Sequence, residues 1–65
     1  MTMDVGDSVT IFGTDSIWDG KSGVVESIDD VTNRCTIMVD FVPNENKFVR
    51  QDFDMDNVKT NREEA

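Results

Sequence analysis

Between positions 35 and 41 the chain reads Cys-Thr-Ile-Met-Val-Asp-Phe, so Cys35, Ile37, Val39 and Phe41 alternate with Thr36, Met38 and Asp40. A period of two places those four side chains on one face of a β-strand, and that face has to be covered. Shorter runs repeat the signal. Val9 and Ile11 alternate with Ser8 and Thr10 after a Gly6-Asp7 turn, and a second strand is predicted from Val24 to Asp29, started by Gly23. Within it Val25 and Ile28 fall out of phase, which predicts a bulge or a sharp bend with Val24 facing outward.

Turn chemistry separates these runs. Residues 13–22 form a loop containing Asp19-Gly20, where glycine accepts positive φ and aspartate bonds its own backbone. Residues 29–34 read as a polar hairpin turn, and Pro43 with Asn44 to Asn46 as a loop. Phe48-Val49 makes a short fourth strand, residues 51–57 a tight turn, and a last strand centres on Val58. A chain of 65 residues forms one domain, and at that size it buries only about 60% of its unfolded surface. Closing short strands into a barrel is then the economical way to cover the apolar faces. The expected fold is all-β, a small five-stranded SH3-like barrel over residues 1–59, with 60–65 a flexible acidic tail. Val9, Ile11, Val25, Ile28, Ile37, Val39, Phe41, Phe53 and Val58 form its expected core.

Cys35 has no partner for an internal disulfide, which favours a reducing, cytoplasmic location. No apolar run approaches the ~20 residues that span a bilayer, so membrane insertion is not expected. The first residues lack the basic-then-apolar order of a secretory leader, and the chain is expected to be the mature protein. Catalysis has little to draw on. Histidine and tyrosine are absent, and Cys35 reads as a small buried hydrophobe with nothing to activate it. No cofactor is expected.

Fourteen acidic residues against six basic ones give a net charge of −8. Direct nucleic-acid binding is disfavoured, because phosphate contacts need clustered Lys and Arg and here the basic residues stand singly among carboxylates. The charge either solvates the surface or presents an acidic face to a basic protein or to a site that normally holds nucleic acid. Asp52, Asp54 and Asp56, with Glu63, fall at the first, third, fifth and twelfth positions of an EF-hand-like calcium loop. Asn57 replaces the turn glycine and Lys59 stands where an apolar residue is usual, so hydrated carboxylates are the favoured reading and no metal is assigned.

Gly6, Val9, Ile11, Asp15-Ser16, Trp18, Gly23, Val25 and Ser27-Ile28-Asp29, followed by Ile37, Val39, Phe41, Phe53, Met55, Asp56 and Val58, resemble the photosystem I reaction-centre subunit IV family. That resemblance implies an SH3-like five-stranded barrel and an accessory role in electron transport. The basic positions implied to attract an acidic ferredoxin are replaced here by Val5-Gly6-Asp7 and by residues 13–18. Residues 6–28 are also similar to the KOW motif of ribosomal and transcription-elongation proteins, whose Gly-x-x-Val-x-Val, glycine-rich loop and Gly-x-Val elements recur. This second resemblance implies the same barrel and binding to RNA or RNA polymerase.

Three functional readings stand. The first is a non-catalytic protein-binding module, an adaptor or regulatory subunit of a larger complex whose surface is basic. The second is a photosystem I subunit IV-like accessory protein. The third is an acidic phage-type inhibitor occupying a nucleic-acid-binding site of a host protein. Candidate contact residues are Asp15, Ile17, Trp18, Asp19 and Lys21 in the first loop, and the acidic strip Asp52, Asp54 and Asp56. Trp18 reads equally as an exposed interface anchor or as an indole packed along the barrel, and Ile17 is a second possible anchor.

Overall fold

In a computed structural model of the chain, residues 3–61 are described. Five strands run in the order β1 (Ser8–Ile11), β2 (Ser22–Asp29), β3 (Arg34–Val42), β4 (Lys47–Asp54) and β5 (Val58–Thr60). Two single-turn 3₁₀ segments, Pro43–Glu45 and Met55–Asn57, precede β4 and β5. All pairings are antiparallel, in the spatial order β4-β3-β2-β1-β5. The sheet curls until Phe53 of β4 and Val58 of β5, on its two outer strands, meet in one core with Val9, Ile11, Val25, Cys35, Ile37 and Val39. This is the small all-β barrel expected from the alternation, closed between β4 and β5 by packing, with no strand ladder joining the two among the described residues.

The alternation of β3 is obeyed through its first seven residues: Cys35, Ile37 and Val39 are buried, and the residues between them are not. Ile28 and Phe41, expected in the core, are only half-buried at its edge. The out-of-phase residues of β2 do mark a bulge, since the register against β3 shifts between Val25 and Ser27; Val24, between buried Gly23 and Val25, faces outward at 47% exposure. Gly23 sits where β2 approaches β3 most closely. A Cβ there would lie 2.4 Å from the Met38 carbonyl oxygen, so only glycine fits without displacing backbone.

Two sequence expectations are corrected. The fourth strand is not limited to Phe48-Val49 but runs eight residues, and the turn expected over 51–57 shrinks to Met55–Asn57. Polar residues at 50–52 hid the strand, because β4 is an outer strand that buries only Phe53 and therefore carries almost no apolar period. The tail expected from residue 60 does not begin there either. Thr60 is buried in β5, and Asn61 accepts a 2.8 Å hydrogen bond from the Thr10 hydroxyl and donates a 3.0 Å bond to Ser8 Oγ. Residues 62–65 lie outside the described residues.

Candidate interaction surface

The loop between β1 and β2 is anchored at both ends by backbone bonds, with Gly20 N donating to Ile11 O at 2.8 Å and Ile11 N to Lys21 O at 2.9 Å. Gly20 takes φ +82°, the conformation that the Asp-Gly turn demands. Inside the loop the Asp19 carboxylate organises the chain. It accepts from the Thr14 amide at 2.7 Å, from the Thr14 hydroxyl in a short bond, and from the Asp15 amide at 3.0 Å. Those donors, the Thr14 hydroxyl foremost, hold the Asp19 carboxyl below its ordinary pKa. Asp15 itself sits at φ +54°, a left-handed conformation that aspartate tolerates.

Two side chains fasten this loop to the barrel. The Trp18 indole packs at a ring distance of 5.3 Å from Phe41 and edge-on at 5.7 Å from Phe53, so it joins the ends of β3 and β4 that the curl brings together. Lys21 Nζ lies 5.0 Å from the Phe41 ring centre and donates to the Phe41 carbonyl oxygen at 3.4 Å. Trp18 is half-buried in this packing. The residue beside it turns outward: Ile17 is 68% exposed. Phe12, at the loop's start, is 43% exposed with Lys59 Nζ 5.8 Å from its ring centre.

The acidic strip is not one cluster. Asp52 lies on the outer face of β4 and accepts a 2.6 Å hydrogen bond from the Thr36 hydroxyl across the strand pair. Asp54 caps the second 3₁₀ turn, its Oδ1 accepting from the Asp56 amide at 2.9 Å and from Asn33 Nδ2 at 3.1 Å. Asp56 is exposed in that turn. Among the described residues no group of three or more His, Cys, Asp or Glu is placed to hold a metal ion. Glu63, the twelfth position of the calcium-loop spacing, lies outside the described residues. Asn57, which breaks that spacing, donates through Nδ2 to the Phe12 and Gly13 carbonyls at 3.1 and 3.2 Å and ties the turn to the end of β1.

A groove of about 280 Å³ opens beside the β2–β3 hairpin, lined in part by Ser27, Asp29, Thr32, Arg34, Thr36 and Asp52. Cys35 also borders it, but this thiol is only 2% exposed and points its weak donor at the Phe53 carbonyl oxygen, 3.7 Å away. Burial pushes its pKa up, the opposite of what a nucleophile requires. The sequence reading missed a surface on β4, where Phe48 and Val49 are 54% and 38% exposed. The period-two signal there is carried by charged and apolar residues together, which conceals it.

Curled antiparallel strands in this order, with β2 and β3 close together at Gly23, define a small SH3-like barrel. The chain is similar in structure to a chain of the MjSpt4:Spt5 complex, with a TM-score of 0.73 over 94% of its length at 19% sequence identity. It spans 38% of the length of that chain, and at this identity the likeness shows the fold. Of the two family resemblances read from sequence, it falls on the KOW side and lends nothing to the photosystem I subunit IV side. No protein-family model matches the chain, and no curated protein matches it in sequence. Among the described residues no helix is long and apolar enough to cross a membrane.

Proposed function

We propose that this chain is a non-catalytic protein-binding module, an adaptor or regulatory component of a larger protein assembly, that engages a partner through the first loop. The observation that carries the reading is the loop's division of labour: Trp18 and Lys21 pack against the barrel and the exposed Asp19 carboxylate bonds the Thr14 and Asp15 amides, while Ile17 is presented at 68% exposure. A contact residue held in place beforehand loses little conformational freedom on binding, which is how a small surface reaches useful affinity. Asp15 stands beside Ile17, and Asp52, Asp54 and Asp56 extend the acidic character to β4 and its following turn. With a net charge of −8, the fitting partner surface is basic. The similar solved chain was itself crystallised in a protein complex, which supports assembly as the setting.

Affinity purification with wild type and Ile17→Asp tests this. The variant is expected to keep the wild-type circular dichroism and amide spectrum and to lose the captured protein. Capture that survives Ile17→Asp in a folded variant moves the contact off this loop. Competition with nucleic acid separates this from the reading as an occupant of a nucleic-acid site, which the charge excess alone favours. That reading requires competition with DNA or RNA that fades by about 0.3 M salt, where the Debye length falls below ~8 Å.

A further inference from the structure

We infer that β4 is a self-association edge: two copies of the chain pair antiparallel through Lys47–Asp54, centred on Gln51, to extend the sheet across a two-fold axis. The strand is eight residues long, and one side of it is paired with β3. Among the described residues no strand covers its other side. A long edge without proline is a template for another strand unless its side chains forbid the pairing. All residues of β4 except Phe53 and the half-buried Asp54 are exposed, Phe48 and Val49 among them.

The side chains select one pairing. Register against β3 sets Phe48, Arg50, Asp52 and Asp54 opposite Asp40, Met38, Thr36 and Arg34. These lie on the outer face, as the Thr36–Asp52 bond and the 2.8 Å ion pair from Arg50 Nε to Glu26 Oε1 confirm. Val49, Gln51 and Phe53 alternate with them on the inner side. The strand is basic in its first half, with Lys47 and Arg50, and acidic in its second, with Asp52 and Asp54. Antiparallel pairing of two identical strands sets the basic half of one against the acidic half of the other.

For the outer faces to stay continuous, the two-fold must pass through a residue position. Centring it on Arg50 or on Asp52 would set that residue against its own copy, a like-charge pair that destabilises. Centring on Val49 would engage only the strand's first residues. Centring on Gln51 sets Arg50 opposite Asp52 of the second copy, and the symmetry makes that pair twice. It also sets Val49 opposite Phe53 on the inner side. Charge that would blunt the edge toward other strands is therefore complementary to itself in one register.

Sedimentation and diffusion NMR of the intact chain over a concentration series test the inference. A single added ladder gives a small interface of the weak class, so a dimer with a Kd on the order of 0.1 mM is expected. Arg50→Asp and Asp52→Arg each put like charges opposite one another twice and are expected to raise Kd by about tenfold. The double reversal, Arg50→Asp with Asp52→Arg, restores the opposite-charge pairs and is expected to return Kd toward wild type. Amide exchange needs no variant. Alternate β4 amides should slow as concentration rises, while those of β1 and β5 do not change. A wild type that stays monomeric to about 1 mM overturns the inference. So does a dimer indifferent to both single reversals, or one whose slowed amides lie outside β4.

Discussion

Strands β3 and β4 are neighbours of nearly equal length in one sheet, yet β3 buries Cys35, Ile37 and Val39 while β4 buries only Phe53. Both obey the same pleat, and the difference is position. β3 has a strand on each side and the curl of the barrel over its inner face, whereas β4 is an outer strand of the sheet, on which Val49 is left 38% exposed. Apolar residues on β3 therefore hold the fold, and apolar residues on β4 are displayed. An exposed Phe48 beside a buried Val39 is no contradiction either: Phe48 shares the outer face with its partner Asp40, while Val39 faces the core.

The sharpest way to break that contrast is to truncate both strands. Ile37→Ala removes a fully buried side chain and is expected to cost about 2–5 kcal/mol of unfolding free energy, enough to unfold a domain of this size in part. Phe48→Ala removes more atoms but is expected to shift stability by less than about 0.5 kcal/mol. Urea unfolding followed by Trp18 fluorescence measures both. A Phe48→Ala loss as large as that of Ile37→Ala would mean that β4 is covered and the contrast is false.

Trp18 joins the two strands by leaning on Phe41 from one and Phe53 from the other. Trp18→Ala is expected to cost about 2–4 kcal/mol, below the full range for a wholly buried indole because this one is half-buried. The expected spectral sign is loss of dispersion for Phe41 and Phe53 together, with Cys35 to Val39 less affected. Circular dichroism and aromatic NMR check it. An indole that served only as a partner contact would leave both phenylalanines unmoved.

How far the fold was legible in the sequence follows from the same contrast. β3 announced itself because one face is apolar throughout, and the β2 bulge because Val25 and Ile28 could not share a phase. β4 was mostly invisible. Its outer positions hold Phe48, Arg50, Asp52 and Asp54, its inner ones Val49, Gln51 and Phe53, and with only Phe53 of the inner set buried the apolar period is too short to read. The loop between β1 and β2 was legible in place but not in direction. Asp19-Gly20 marked the turn, yet no local signal distinguished Trp18, which swings inward to Phe53, from Ile17, which stays out. That choice depends on the curl carrying β4 back under the loop, a contact distant in the chain. The end of the barrel was misjudged for a similar reason, since Thr60 pairs with Val9, and Asn61 bonds Ser8 and Thr10, near the other end of the sequence.

A smaller effect is expected where β4 ends. Asp54 stops the strand by capping the turn that leads to β5, so Asp54→Ala frees the Asp56 amide and Asn33 Nδ2 at once. The expected cost is about 1 kcal/mol, read as a lower urea midpoint with an unchanged slope. Asp54→Asn, which keeps an acceptor at the same place, is expected to recover most of it. β3 instead runs through the register shift between Asp40 and Val42, where Val42 still pairs with Lys47, into the Pro43–Glu45 turn.

The smallest effect concerns the loop above the two strands, and it is one of pH. Asp19 is depressed below its ordinary pKa of 3.8, chiefly by the Thr14 hydroxyl and then by the Thr14 amide. In the unfolded chain the carboxyl takes its proton near the ordinary value, while in the folded loop it stays ionised to lower pH. The loop bonds therefore add stability above that ordinary value, and the contribution is lost as pH falls through the folded pKa. Because the carboxylate is exposed, the effect belongs to the loop more than to the barrel and is read by the Thr14 and Asp15 amide shifts, not by global unfolding. Those two amides are expected to titrate together with a midpoint below 3.8, while the amides of β3 stay still. Asp19→Asn keeps an acceptor but no charge, and should flatten the titration at both amides. If the Thr14 amide instead moved with a midpoint at or above the ordinary carboxylate value, the Asp19 staple would not hold the loop, and Ile17 would lose the rigid support on which its role as a contact depends.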